Sequence, residues 1–235
     1  MDFQRAYVWF ACAVILLSNA SIYAKSPAII FAKDTVIPGS LEIPDSVTAI
    51  MHAGVTFRFA GYGKCLVRGA LIAEGTQEKP VTFTCVGRVR GATTEPCWYG
   101  IIIAGSKAFA NLRHCRIEGA YRNVVAENNA VFDSCEFVGN HCGLFCTKKA
   151  SPHVKYCRFY RNAYGIVADF ANPLLLENVI TENTIGIYLQ TDARLVAGKN
   201  VVYGNQTNIK AESCLKGDTT SSSVRDLWEL MRQLY

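Results

Sequence analysis

Cys157-Arg-Phe-Tyr-Arg-Asn162-Ala-Tyr-Gly165-Ile-Val-Ala-Asp169 decides the fold, because the chain repeats it on both sides. Upstream stand Cys135-Glu-Phe-Val-Gly-Asn140-His-Cys-Gly143-Leu and Cys115-Arg-Ile-Glu-Gly-Ala120-Tyr-Arg-Asn123-Val. Downstream stand Asn178-Val-Ile-Thr-Glu-Asn183-Thr-Ile-Gly186-Ile and Asn200-Val-Val-Tyr-Gly-Asn205-Gln-Thr-Asn208-Ile. Aligned, they share three columns. The first is Cys115, Cys135, Cys157, Asn178 and Asn200; the second holds Asn140, Asn162, Asn183 and Asn205, spaced by 22, 21 and 22 residues. The third is Asn123, Gly143, Gly165, Gly186 and Asn208, residue types that accept positive φ most readily, so a corner is expected there. A short β-rich run follows each corner, as in Gly186-Ile-Tyr-Leu-Gln190. Two more short runs complete the repeat, Cys157-Arg-Phe and Leu174-Leu-Leu in the central one.

A period of about 21 residues implies stacked units, since one such unit cannot bury its own apolar face. Three short strands per period with corners between them predict an all-β chain: a single-stranded right-handed parallel β-helix. Asn side chains stacked about 4.8 Å apart can then hydrogen-bond along the axis. Cys115, Cys135 and Cys157 replace that ladder in the middle coils and read as a stack of small buried hydrophobes, mostly free thiols. Cys85 to Cys115 spans 30 residues, so residues 86–98 interrupt the period as an excursion loop. Residues 25–215 are assigned to the β-helix and 216–235 to a polar linker with a Ser-capped amphipathic helix. Leu227, Leu230, Met231 and Leu234 share its apolar face, which is expected to cover the open end of the solenoid.

Residues 110–212 resemble the pectate-lyase-type parallel β-helix repeats of bacterial exported and surface proteins. Ile43-Pro-Asp-Ser-Val-Thr, Gly54-Val-Thr-Phe-Arg-Phe, Leu66-Val-Arg-Gly-Ala-Leu-Ile-Ala-Glu-Gly-Thr76 and Lys79-Pro-Val-Thr-Phe-Thr84 resemble its N-terminal coils. The resemblance implies the fold and leaves activity open, because lyases, hydrolases, epimerases, adhesins and binding modules all use this repeat. Polygalacturonase-like hydrolases carry an Asp cluster with His and Arg-x-Lys; pectate lyases carry calcium-binding acids with a basic proton acceptor. This sequence has no Asp pair of that kind, and Asp169 is followed by Phe170 and Ala171.

Arg5 followed by the uncharged run Ala6–Leu17 reads as a signal peptide over residues 1–24, cleaved after Ala20 or Ala24. The run is too short to span a bilayer, and no later segment reaches that length without charge. The chain is therefore expected to be exported to the periplasm, cell surface or extracellular space, with no membrane span in its mature form. Half of the residues are hydrophobic, which excludes a disordered chain, and a net charge of +5, scattered along the sequence, does not indicate a nucleic-acid binder. Of ten Cys, nine remain after the signal peptide, an odd number that leaves at least one thiol unpaired.

Chemistry has to lie on the outside of the coils. Alternation after the corner places Ile102, Val125, Phe145, Val167 and Tyr188 in one exposed apolar stripe, with Glu127, Thr147, Asp169 and Gln190 in a polar stripe beside it. The carboxylates to consider are Glu127 and Asp169, two coils or about 9–10 Å apart, the outer limit for an inverting glycosidase pair. Phe145, Tyr188, Val167, Gln190 and Lys148 are the candidate binding residues. Lys148, Lys149, Lys155, Arg158 and Arg161 cluster and could neutralise an acidic polysaccharide. His141, Cys142, Cys146 and His153 are only loosely spaced like a zinc site, and Cys142 with Cys146 could instead form a local disulfide. Gly61-Tyr-Gly63-Lys64 lacks the rest of a phosphate loop, and neither a metal nor a cofactor is assigned. The reading leans away from an enzyme, toward an exported protein that presents a binding face to a polysaccharide or envelope protein. The alternatives are a polysaccharide lyase, glycoside hydrolase or epimerase, and a purely structural module.

Overall fold

The computed structural model describes residues 27–88, 95–126 and 130–212. Residues 1–24, expected to be a signal peptide, Glu127, Cys214 and residues 216–235, expected to be a linker and helix, lie outside the described residues.

From Ala28–Phe31 to Thr207–Ala211 the chain makes short strands of three to six residues, each hydrogen-bonded in parallel to the strand three places later. Three eight-stranded sheets result, which is eight coils of a right-handed parallel β-helix with no helix among the described residues. The first sheet starts at Ala28–Phe31, the second at Thr35–Ile37 and the third at Leu41–Ile43.

Alternation along each strand sends one set of side chains inward, and parallel register puts like positions above one another. Phe57, Phe83, Ile117, Phe137, Phe159, Ile180 and Val202 form such a column in the second sheet, all at most 1% exposed. Phe137 and Phe159 stack at 4.5 Å between ring centres. Trp98, fully buried, stacks on Phe59 at 4.5 Å and bridges to Ala120, so the chain re-enters the period there after its excursion. Cys85 and Cys97 close the base of that excursion with a disulfide.

Both polar columns are ladders. Asn140, Asn162 and Asn183 each accept the backbone N–H of the coil before and donate back to a carbonyl of the second sheet, at Ile117, Phe137 and Phe159. Asn205 ends the row, accepting from Asn183 and donating to Ile180. The cysteine column does more than fill space. Asn200 and Asn178 donate to Leu175 and Val154, and Cys157, Cys135 and Cys115 direct their thiols to Phe132, Leu112 and Ala73, which continue the same carbonyl column. A thiol is a weak donor, but it takes the place of the amide.

The corner expectation is corrected. Gly143, Gly165 and Gly186 do not adopt positive φ; their lack of a side chain lets coils approach, since a Cβ would lie 2.5–2.6 Å from the carbonyl oxygen of the next coil. Left-handed residues instead precede each ladder position: His114, Ser134, Tyr156, Glu177 and Lys199 before one column, and Gly119, Gly139, Arg161, Glu182 and Gly204 before the other.

Candidate binding face

In the third sheet the outward row runs Leu66, Ile102, Val124, Phe145, Val167, Tyr188, Lys210. Val124 holds the place expected for Val125, which is fully buried in the core. The cause is a bulge: the Cys142–Thr147 strand spends one more residue than Arg122–Ala126 over the same span. Because side chains alternate, a slip of one residue reverses the face.

The row is also not an open stripe. Val167 and Tyr188 are 5% and 8% exposed and pack with Cys142, edged by Phe145, Tyr164 and Ile185. Neighbouring coils supply the cover: the Arg122 guanidinium lies over the Phe145 ring at 4.5 Å, Lys210 over Tyr188 at 4.6 Å, and Tyr164 stacks with Tyr188 at 6.0 Å. Tyr188 also donates its hydroxyl to Glu212. Cys142 and Cys146 are separate buried thiols, one in this outer cluster and one in the core, which removes the local disulfide. Burial pushes the Cys142 thiol up to about 12.

What remains accessible is a cleft of about 180 Å³ lined by Arg122, His141, Cys142, Phe145, Tyr164, Val167, Tyr188 and Gln190. It opens beside a row of rings where the second sheet turns into the third. Tyr62, Tyr99, Tyr121, His141, Tyr164 and Tyr188 follow one another at 5.0 to 6.2 Å between ring centres. Their mutual packing raises the Tyr62 phenol above its ordinary range, through burial and the neighbouring phenols. Sequence reading missed this row because Tyr99 sits just after the interruption; Tyr121 and His141, each one residue past a ladder position, are its visible signal.

Of the predicted residues, Phe145, Val167, Tyr188 and Gln190 therefore meet at one cleft. Lys148 is exposed on the loop after that sheet and does not line it. Asp169 is half-buried beside Thr147 of the preceding coil and lines neither described cavity. The basic cluster does not act as a free patch either: Lys155 pairs with Asp133 at 3.2 Å, Arg158 with Glu136 at 3.4 Å and Arg161 with Glu182 at 2.9 Å. Lys149 lies over the Phe170 ring at 5.6 Å, beside a wider hollow of about 420 Å³ that Asn172, Asp192 and Arg194 also line.

A second charged group also went unread. On the outside of the second sheet, Arg116 donates to Glu118 at 2.9 Å, Glu136 at 2.6 Å and Tyr160 at 3.1 Å, and Thr84 donates to Glu118 at 3.1 Å. The Glu118 carbonyl accepts the Trp98 indole N–H, and Arg88 donates to Gly139. The arrangement ties the excursion loop to the sheet. Its trace in the sequence is the alternation Arg116, Glu136, Arg158 one residue past the first ladder column.

Residues 82–223 match a family model described as a right handed beta helix region. No curated protein and no solved structure matches the chain.

Proposed function

Because the chain belongs to the right-handed β-helix family, whose members share a stacked coil and not one reaction, we propose that it is a non-catalytic binding protein for an extended polysaccharide. The observation that carries this reading is the row of rings from Tyr62 to Tyr188, continuous over successive coils and opening onto one cleft. A surface built by stacking coils repeats its groups about every 4.8 Å. Such a surface is suited to a ligand that is itself a repeat. Aromatic edges and phenol hydroxyls, with Arg122 and Gln190 beside them, offer the mixture of apolar contact and fixed hydrogen-bonding groups that saccharides require. We also propose that the protein is exported, in keeping with the Cys85–Cys97 disulfide, a bond that persists in oxidising compartments.

A glycan array with the chain from residue 25 onward tests the reading, followed by titration of any binder against the Tyr99→Ala/Tyr164→Ala pair. Each lost aromatic contact is expected to weaken binding by about 0.5–1.5 kcal/mol while the β-sheet circular dichroism is kept. Full binding by the double variant, or no binding of any glycan by the wild type, would remove the proposal.

A further inference from the structure

We propose that the cleft at Arg122 is a carboxylate-binding site, the point at which the face becomes selective for an acidic sugar. The polymer part rests on the reading above; the anion part does not. Arg58, Arg68, Arg116, Arg158 and Arg161 each reach an Asp or Glu at 3.4 Å or less. Arg122 pairs with none among the described residues. Its guanidinium is instead held by rings, 4.5 Å from the centre of Phe145 and 5.5 Å from that of Tyr121. Its Nε is buried and has no hydrogen-bond partner, the one such side-chain atom among the described residues.

A buried donor without an acceptor is uncommon in folded proteins and calls for an explanation. Here the rings take up the cation without meeting its N–H demand, and the residue opens onto a cleft. An arginine held against rings keeps the terminal N–H groups of its planar fork for an acceptor. The partner matched to that fork is a carboxylate, whose two oxygens receive parallel N–H bonds. Among the described residues Arg122 is the only Arg or Lys that lines the cleft, which favours a monoanion over a phosphate carrying close to two charges. Size points the same way. The cleft's 180 Å³ is below the roughly 300–1,000 Å³ of sites that enclose a whole ligand. It has room for one acidic substituent, with the rest of the molecule lying along the rings. Gln190, His141 and Tyr164 offer hydrogen-bonding groups to the adjoining hydroxyls.

The test uses the chain from residue 25 with two probes. Sodium glucuronate is titrated while the side-chain ¹H–¹⁵Nε signal of Arg122 is followed, with methyl glucoside and sodium chloride as controls at matched concentration and ionic strength. A saturable shift with glucuronate alone is expected; no shift, or an equal shift with chloride, would overturn the site. Next, a uronic-acid oligosaccharide is compared with its carboxyl-reduced form. The wild type is expected to prefer the acid by about tenfold, one charge-assisted hydrogen-bonded contact. Arg122→Gln should lose that preference, binding the acid no better than the reduced form, and Arg122→Lys, which retains charge but not the fork, should fall between. A preference that survives Arg122→Gln in a folded variant would overturn the proposal. A saturable glucuronate shift without binding of either oligosaccharide would sustain the anion site and remove the polymer reading.

Discussion

Asn162→Ala is the sharpest test of the ladder. Asn162 is 3% exposed, and its side chain makes four hydrogen bonds. Its Oδ1 accepts from the Asn140 backbone N–H at 2.9 Å and from Asn140 Nδ2 at 3.0 Å, and its Nδ2 donates to Phe137 O at 3.0 Å and Asn183 Oδ1 at 2.9 Å. Alanine removes all four. Some partners keep another bond: Asn140 Nδ2 still reaches Ile117 O, and Asn183 Oδ1 still accepts the Asn162 backbone N–H. The Asn140 N–H loses its acceptor in a fully buried position. With about 0.5–1.5 kcal/mol for a net hydrogen bond and about 1–3 for a stranded buried group, the loss should be about 3–5 kcal/mol. Asn205→Ala removes a similar set of bonds, but at a half-buried position where water can substitute, so about 1–2 kcal/mol is expected. Urea titrations read both, with the midpoint falling and the slope retained. Equal losses for the two variants, or less than about 1 kcal/mol for Asn162→Ala, would refute the reasoning.

Gly165→Ala should cost about 1–3 kcal/mol by overpacking, because the new Cβ would sit 2.5 Å from the Gly186 carbonyl oxygen and 3.3 Å from Asn183 Nδ2; an unchanged melting temperature would contradict it. Reducing the Cys85–Cys97 bond, which closes a loop of sequence separation 12, should lower stability by about 3 kcal/mol, and non-reducing peptide mapping should recover that pair linked and Cys115, Cys135 and Cys157 as thiols. Stability should also fall in alkali. Burial pushes the Cys65 thiol up to about 12, whereas an unfolded thiol ionises near 8.5, so above that pH the unfolded chain releases a proton that the folded chain keeps. The slope should be about −1.4 kcal/mol per pH unit for this thiol between those values, and Cys65→Ala should flatten the denaturation profile there by that amount.

The cleft was legible in part. Phe145, Val167, Tyr188 and Gln190 were found by counting alternation from the glycine column, and they do converge. The same count failed at Val125, because a bulge between neighbouring strands leaves no mark in residue type. Arg122, His141 and Tyr164 went unassigned for a different reason. They lie at the turn from the second sheet into the third, and their meeting depends on how far one corner projects over the next. The expectation of an exposed stripe failed because relative exposure depends on the side chains of the coils above and below, here Arg122 and Lys210.

The sequence alone determined the period, the two ladder columns and the parallel stacking, since each follows from residue identities recurring about every 21 positions. Tertiary structure alone decided which glycines serve close approach and which bends carry positive φ. It also decided that Cys85 finds Cys97 across the excursion, that Arg116 gathers Glu118 and Glu136, and that Arg122 is left with rings in place of a carboxylate. The physical reason is one of range. A repeat is a pattern along the chain, and the backbone satisfies it coil by coil. Pairing among outward side chains instead depends on register and twist to within about an ångström, and these are set only once the coils have stacked.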